Sequence, residues 1–304
     1  MKFLVAPLCS DLTKPEEVVR CINSVRDQEE HPFDWDIKVV ANTNDDEYAE
    51  SIRTAVGDVE VVQTESNGGN GMGHNSVLQL FRDRYREEGY THLIMIDADD
   101  ALYPCAFEVI DNLLILDPGI DYCGVGSNAD SVRRGTHPQP GRSIELVPGI
   151  HLHSNFNYRY PIPMNPIYAG IENGCPGGEV TLFVSANAVE RDLYHLEWPM
   201  IPDDFTHLLW AMKHHLLGNL RYVSTDTTDV YLYDKTNSVG TTNQPEFKFD
   251  PRQWPAAAVE YVRTNFSDIV GVTRGHFPFL TLPPVMFPGE KADWVRDQLL
   301  FFDE

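Results

Sequence analysis

The sequence predicts an α/β fold in which a central, mostly parallel sheet is covered by helices on both faces. Short apolar segments rich in valine and isoleucine alternate with amphipathic helical patterns through the first half of the chain. Strands that alternate with helices pair in parallel, and a parallel sheet buries both of its faces under helices. The chain has 304 residues, of which 42% are apolar, so it can form a large buried core.

The strand and helix patterns of the first half follow one another closely. The predicted strands are Phe3–Leu8, Ile37–Ala41, Val59–Gln63 and His92–Ile96. The predicted helices are one that starts with a capping box at Thr13-Lys14-Pro15-Glu16, one within His74–Glu88 and one around Phe107–Leu114. Because ligands of such sheets bind at the carboxyl ends of the strands, the residues after each strand are the candidates for a site.

The alternation stops at residues 130–178, which hold many prolines, glycines and aromatic residues, with four arginines against three acids. A long segment of this composition is typical of a functional or a disordered loop. Regular patterns then return, and they predict strands at Glu179–Ala186, Leu220–Ser224 and Asp229–Tyr233, a helix at Asp204–Leu217, and helices near Pro255–Phe266 and Glu290–Leu300. The proline-rich segment between the last two helices is interpreted as packed on the body or as part of a subunit contact, so a homo-oligomer is one possibility.

The formal net charge of −23 argues against broad binding of nucleic acids and of anionic membranes. No run of about 18 apolar residues occurs, so we expect no membrane span. The first apolar segment is short and fits a buried strand better than a signal peptide. The five cysteines are widely spaced and contain no CxxC pair, which favours a reducing compartment. We therefore expect a cytoplasmic protein.

The strongest chemical signal is the segment HLIMIDADDALYP, in which an apolar strand is followed at once by Asp97, Asp99 and Asp100. Alternation along an extended chain predicts that Asp97 and Asp99 point to the same side. Two neighbouring carboxylates repel each other unless a cation lies between them, and hard oxygen ligands suit Mg²⁺ or Mn²⁺. The alternative is an acidic loop that caps the helix near Pro104, which fits Asp100 best. We predict a metal site at Asp97 and Asp99.

An IDADD segment after an apolar strand resembles the DxD motif of GT-A glycosyltransferases, particularly those of family 2. The nucleotide site of that family is similar to three further segments, in the same order along the chain: Val5-Ala6-Pro7, Val39–Asp46 and Thr64–Asn75. The resemblance implies that the donor nucleotide contacts Ala6, Pro7, Asn42, Asn44, Asp45, Asn67, Gly68, Gly73, Asn75 and Asp97. The glycine cluster around Gly68 and Gly73 is neither a P-loop nor a GxGxxG motif. From the residues alone, a flexible loop is as good an interpretation of that cluster as a nucleotide-binding one.

The resemblance continues less closely into the second half. The segment around Asp203-Asp204 resembles the acceptor-side stretch in which family members carry a Glu-Asp pair with the catalytic base. It implies Asp204 as the base, or Asp203 if the register differs by one residue. The local alternative is that one of these acids caps the following helix. Lys235, Thr236 and Asn237 stand where many metal-dependent members have a histidine ligand.

The resemblance implies a nucleotide-sugar-binding half at residues 1–128, an acceptor-binding half at 129–250 with the insertion 130–178, and a helical extension at 251–304. It implies a metal-dependent, inverting glycosyltransferase that uses a nucleoside-diphosphate sugar, typically a UDP-sugar, and an acceptor hydroxyl. Arg133, Arg134 or Arg159 of the insertion are candidates for contact with the diphosphate or the acceptor. The alternatives are a sugar-phosphate nucleotidylyltransferase, disfavoured because no glycine occurs in the segment 6–10, and a non-catalytic protein that binds glycans or nucleotides.

Overall fold

The computed structural model describes residues 1–28, 33–126, 143–147, 150–153, 179–191, 193–195, 210, 214, 219–225 and 230–232. Several predictions fall outside these residues. They are the acids Asp203 and Asp204, the segment 235–237, most of the insertion 130–178, the extension 251–304, and the helix Asp204–Leu217 apart from Trp210 and His214, which are helical. No helix among the described residues is both long enough and apolar enough to cross a membrane.

The strands of the described residues form one large sheet and one small sheet. They are β1 (Lys2–Cys9), β2 (Asp34–Asn42), β3 (Glu60–Thr64), β4 (His92–Asp97), β5 (Ala101–Leu102), β6 (Tyr122–Gly126), β7 (Ser143–Val147), β8 (Ile150–His153), β9 (Glu179–Ser185), β10 (Tyr222–Thr225) and β11 (Tyr231–Leu232). The large sheet has nine strands in the order β3-β2-β1-β4-β9-β6-β10-β8-β7, and the small one pairs β11 with β5. In the large sheet only β8 and β9 run against the other strands, which confirms the predicted mostly parallel sheet.

Helices cover both faces of the sheet, as predicted. They are α1 (Pro15–Arg26), α2 (Asp46–Val56), α3 (Asn70–Glu88), α4 (Ala106–Leu116) and α5 (Ala186–Glu190). The face of β1 that carries Val5 and Cys9 packs against α1, α2 and α4. The opposite face, which carries Leu8, packs against α3: a Cβ atom on Gly73 would lie only 3.1 Å from Leu8 Cδ2.

Two helix starts differ from the sequence prediction. The capping box of α1 lies one residue later, because Pro15 occupies the first helical position and the Glu17 carboxylate accepts the Lys14 N–H at 2.8 Å. The helix predicted within His74–Glu88 begins earlier, at Asn70, and so contains Gly71 and Gly73. Both glycines are buried, and the close approach of Gly73 to β1 explains why a residue without a side chain is tolerated there.

Six elements were not predicted at all, namely α2, α5, β5, β6, β7 and β8. α2 begins at the acidic turn after β2, where the Asp45 carboxylate accepts the N–H groups of Glu47 and Tyr48 at 2.8 and 3.1 Å. β7 and β8 form a hairpin inside the segment expected to be an irregular loop, and β8 extends the sheet by pairing with β10. The sequence signal for this hairpin is a Pro-Gly pair between two short alternating runs.

The register of the sheet gathers four strand ends at one edge. Leu8 of β1 pairs with Asp97 of β4 and with Val40 of β2, and Asn42 of β2 pairs with Thr64 of β3. The loops that follow these strands therefore emerge side by side. The predicted site residues of the first half lie in or near these loops.

Candidate metal and nucleotide site

The chain turns immediately after β4, so that three carboxylates meet. The Asp100 N–H donates to the Asp97 carbonyl at 2.9 Å, which closes a turn over Asp97–Asp100. The predicted alternation along an extended chain is therefore wrong at this point. The gathering of the carboxylates is nevertheless present: each of Asp97, Asp99 and Asp100 offers an oxygen, and these oxygens lie within 4.8 Å of one another. Asp97 and Asp99 are partly exposed, whereas Asp100 is 1% exposed.

Tyr231 of the small sheet binds the turn Asp97–Asp100, which we call the acid turn. Its hydroxyl donates to Asp100 Oδ2 at 2.8 Å and accepts the Asp97 N–H at 3.3 Å. Burial, with the nearby carboxylates of Asp100 and Asp97, raises the pKa of Tyr231 well above its ordinary value, so the group remains a proton donor. The pairing of β11 with β5 holds Tyr231 in register with Leu102. Asp100 is therefore bonded to Tyr231, and the N-cap residue of the following helix α4 is Cys105 rather than an acid.

Arg20 supplies a positive charge beside the acid turn. It lies on α1, and its Nη2 donates to the Asp99 carbonyl oxygen. A guanidinium at this place offsets part of the repulsion among the three carboxylates. The turn is thus held from α1 by Arg20 and from β11 by Tyr231. Both contacts join residues about eighty or more positions apart, so neither was visible in the sequence.

Two histidines stand next to the acid turn. His74 of α3 places its Nε2 at 3.2 Å from Asp97 Oδ1. The ring of His195 lies against the ring of His74, with centroids 4.7 Å apart. Asn75 holds the main chain of His195 through two hydrogen bonds, one to its carbonyl at 2.9 Å and one from its N–H at 2.7 Å. The segment 193–195 is therefore anchored on α3 beside Asp97.

The amide side chains after β2 connect neighbouring loops. Asn42 is buried and donates to Thr64 Oγ1 at 3.1 Å and to the Glu65 carbonyl at 2.5 Å. Asn44 donates to the Ser66 carbonyl at 2.7 Å and accepts the Ser66 N–H at 3.1 Å. Asp45 caps α2. Asn42 and Asn44, both expected at the nucleotide, thus fix the loop after β3 relative to the end of β2 and the loop after it.

The glycine-rich loop itself is compact. Asn67 Oδ1 accepts the Gly69 N–H at 2.9 Å, and Gly68 has a φ of +81°, which favours glycine. Asn67 and Gly68 are exposed at the strand-end edge. Ala6 and Pro7, by contrast, are buried within β1, which runs one residue further than predicted, to Cys9. The exposed end of that strand is formed by Ser10 and Asp11.

The predicted site residues therefore fall into three groups. Asp97 and Asp99 come together in the acid turn. The second group lies at the end of β2, in the loops after β2 and β3, or in the first turns of α3; it comprises Asn42, Asn44, Asp45, Asn67, Gly68, Gly73 and Asn75. Ala6 and Pro7 form the third group and are buried within β1. Sequence reasoning missed Arg20, His74, His195 and Tyr231 as partners of the acid turn. Of these, only His74 had a local signal, since it lies within the glycine-rich motif.

Comparison with known proteins gives similarities of structure only. No protein-family model matches the chain, and no curated protein sequence matches it. The chain is similar to S. aureus TarS at 16% identity and a TM-score of 0.49, covering 100% of this chain and 53% of the TarS chain. It therefore spans about half the length of that protein.

Two solved structures of shorter chains are similar to this chain to about the same degree. TarS 1-349 in complex with UDP is similar at 16% identity and a TM-score of 0.48, over 99% of this chain and 89% of that one. The mannosyltransferase PcManGT from Pyrobaculum calidifontis, in complex with GDP-Man and Mn²⁺, is similar at 11% identity and a TM-score of 0.45, over 99% and 85%. At TM-scores below 0.5 these similarities assign neither residue roles nor a reaction to this chain.

Proposed function

We propose that the chain is a metal-dependent, inverting glycosyltransferase of the GT-A type, which moves a sugar from a nucleoside-diphosphate donor to an acceptor hydroxyl. The observation that carries the proposal is the turn of three carboxylates at the carboxyl end of β4, on the edge where β1, β2 and β3 also end. Sheets of this kind bind ligands at that edge. The resemblance of IDADD and the surrounding segments to the family motif agrees with it.

The donor atoms fit a hard divalent cation. All three side chains offer carboxylate oxygens, the ligands that Mg²⁺ and Mn²⁺ prefer. Asp97 and Asp99 are the partly exposed members, so they would hold the cation, while Asp100 stays bonded to Tyr231 behind them. A cation held by Asp97 and Asp99 would neutralise charge on the departing diphosphate and orient it. Mn²⁺ and Mg²⁺ both suit these ligands.

The donor nucleotide lies, in this proposal, along the loops after β2 and β3. The exposed residues Asn44, Asp45, Asn67 and Gly68 contact it through main-chain and side-chain atoms that remain accessible at the edge. The buried residues Ala6, Pro7, Asn42 and Gly73 act indirectly, by setting the positions of these loops. Asn75 likewise acts through His195. Because the net charge of the chain is acidic, we attribute diphosphate binding to local contacts of this kind rather than to a broad cationic surface.

A carboxylate completes the chemistry. The acceptor hydroxyl attacks the anomeric carbon from the face opposite the diphosphate, and Asp204 takes its proton, with Asp203 as the alternative. One displacement of this kind inverts the anomeric configuration. In the sequence these acids follow the segment 193–195, which Asn75 and Arg82 hold on α3.

Donor hydrolysis and transfer test the proposal. UDP-GlcNAc and GDP-mannose, the donors in solved structures similar to this chain, are incubated with Mn²⁺, with Mg²⁺ or with EDTA, and nucleoside diphosphate is measured. We expect release that requires metal and that Asp99→Asn abolishes. The matched control is Asp58→Asn, an exposed acid before β3 at the opposite edge of the sheet, paired with Arg26. It should behave as wild type.

Three results would contradict the proposal. The proposed metal site would be wrong if the release of nucleoside diphosphate is unaffected by EDTA or by Asp99→Asn. Formation of nucleoside triphosphate from donor and pyrophosphate would instead identify a nucleotidylyltransferase. Binding of nucleotide sugars without any turnover, across acceptor mixtures, would favour the non-catalytic alternative.

A further inference from the structure

His74 contacts the acid turn at one defined atom. Its Nε2 lies 3.2 Å from Asp97 Oδ1, and its side chain is 13% exposed against 41% for Asp97. An ionised carboxylate has no proton to give, so the imidazole nitrogen is the donor. This bond occupies one oxygen of Asp97. A carboxylate has two oxygens, so Oδ2 of Asp97 can still coordinate a cation while Oδ1 accepts this bond.

The ring of His74 is itself held from behind. His195, which is 2% exposed, lies against it with ring centroids 4.7 Å apart. Asn75, the next residue of α3, fixes the main chain of His195 with two hydrogen bonds, and Arg82 of the same helix donates to the Leu193 carbonyl at 2.5 Å. The imidazole is therefore seated between a fixed segment and the carboxylate. Rotation of Asp97 away from the turn would break the bond to His74.

His74 does not belong to the ligand cluster itself. Among the residues that the structure describes, the group whose oxygens lie within 4.8 Å of one another comprises Asp97, Asp99 and Asp100. A partner that bonds a ligating carboxylate from outside the cluster fixes its orientation, and loss of such a partner typically lowers metal affinity by about 10- to 100-fold.

We propose that His74 is a positioning residue, which holds Oδ1 of Asp97 so that the remaining oxygen faces the divalent cation. The inference rests on the proposed function, since it assumes that Asp97 and Asp99 hold that cation. It adds a residue that lies outside the acidic motif and on a different element. It also gives the segment 193–195 a role, because this segment supports the ring that supports the carboxylate.

Two substitutions separate the hydrogen bond from the packing. His74→Gln keeps an N–H donor at a similar distance from the main chain, whereas His74→Leu keeps apolar bulk and removes the donor. Mn²⁺ affinity is measured without nucleotide by electron paramagnetic resonance of the free ion, and the Tm is measured in EDTA. We expect His74→Leu to lose about 10- to 100-fold in Mn²⁺ affinity and His74→Gln to lose less than about threefold.

A double-mutant cycle makes the test specific to Asp97. In an Asp97→Asn background the bond to be tested no longer has its charged acceptor, so His74→Leu should weaken Mn²⁺ binding no further. Additive losses would overturn the inference, as would equal losses in His74→Gln and His74→Leu, which would point to packing. A wild-type affinity in His74→Leu, with affinity still dependent on Asp99, would overturn the inference and leave the proposed function intact. Absence of Mn²⁺ binding by the wild-type protein would overturn both.

Discussion

The substitution Tyr231→Phe tests how the acid turn is held. The change removes one buried hydroxyl, which donates to Asp100 Oδ2 at 2.8 Å and accepts the Asp97 N–H at 3.3 Å. Asp100 is 1% exposed, so water cannot easily replace the lost donor. A hydrogen bond to a charged group contributes about 1.5–3 kcal/mol, and we therefore expect a loss of about 2 kcal/mol in the free energy of unfolding. For 304 residues this corresponds to a fall in Tm of about 3 °C.

The matched control is Tyr122→Phe. Tyr122 is buried like Tyr231, although it lies on a strand of the large sheet. Its hydroxyl bonds the neutral Thr181 hydroxyl at 2.6 Å. A neutral bond contributes about 0.5–1.5 kcal/mol, so the loss should be about half as large. Differential scanning calorimetry in EDTA measures both, and Mn²⁺ titration measures whether only Tyr231→Phe weakens metal binding. Equal losses of stability, or unchanged Mn²⁺ affinity in Tyr231→Phe, would refute the view that Tyr231 fastens the acid turn.

Three further predictions concern other parts of the chain. Asp204→Asn should lower transfer by about 10²–10⁴-fold without affecting donor binding, and Asp203→Asn should lower it much less; the opposite order would shift the base to Asp203. Burial lowers the pKa of His92 from 6.5 to about 4, so between these pH values His92 is protonated in the unfolded chain and neutral in the folded one. The contribution of neutral His92 to the free energy of unfolding is therefore complete above pH 6.5 and falls by roughly 3 kcal/mol as the pH drops to 4. We expect the Tm of His92→Phe to depend less on pH than the wild-type Tm in that window. Gly68 and Gly89 have φ of +81° and +76°, so alanine at either should cost about 1 kcal/mol, but only Gly68→Ala should weaken nucleotide binding, as measured by calorimetry.

The first half of the fold was predictable because its signals are local. β1 and β4 are short apolar runs, and their burial in a helix-covered sheet follows from that composition. The acid turn was visible for the same reason, since the acids directly follow such a run. The start of α3 was not, because two glycines weaken a helical pattern and only the close approach to Leu8 makes Gly73 favourable there.

The supports of the acid turn could not be read from the sequence. Tyr231 meets Asp100 across more than a hundred residues, and nothing near Tyr231 marks it as different from other strand tyrosines. His195 reaches His74 only because Asn75 captures its main chain. Asp97 and Asp99 lie close together as expected, but a turn closed by the Asp100 N–H, rather than an extended strand, gathers their carboxylates. The metal site itself stays a prediction.

Anomalous diffraction can show whether the acid turn binds a metal. Crystals of the wild-type protein are grown with Mn²⁺ and UDP, and anomalous differences are collected at the manganese absorption edge. We expect an anomalous peak within coordination distance of Asp99 and Asp97, with the diphosphate of UDP bound to the same ion at the edge where β1–β4 end. A peak at any other place, or UDP bound away from the acid turn, would contradict it.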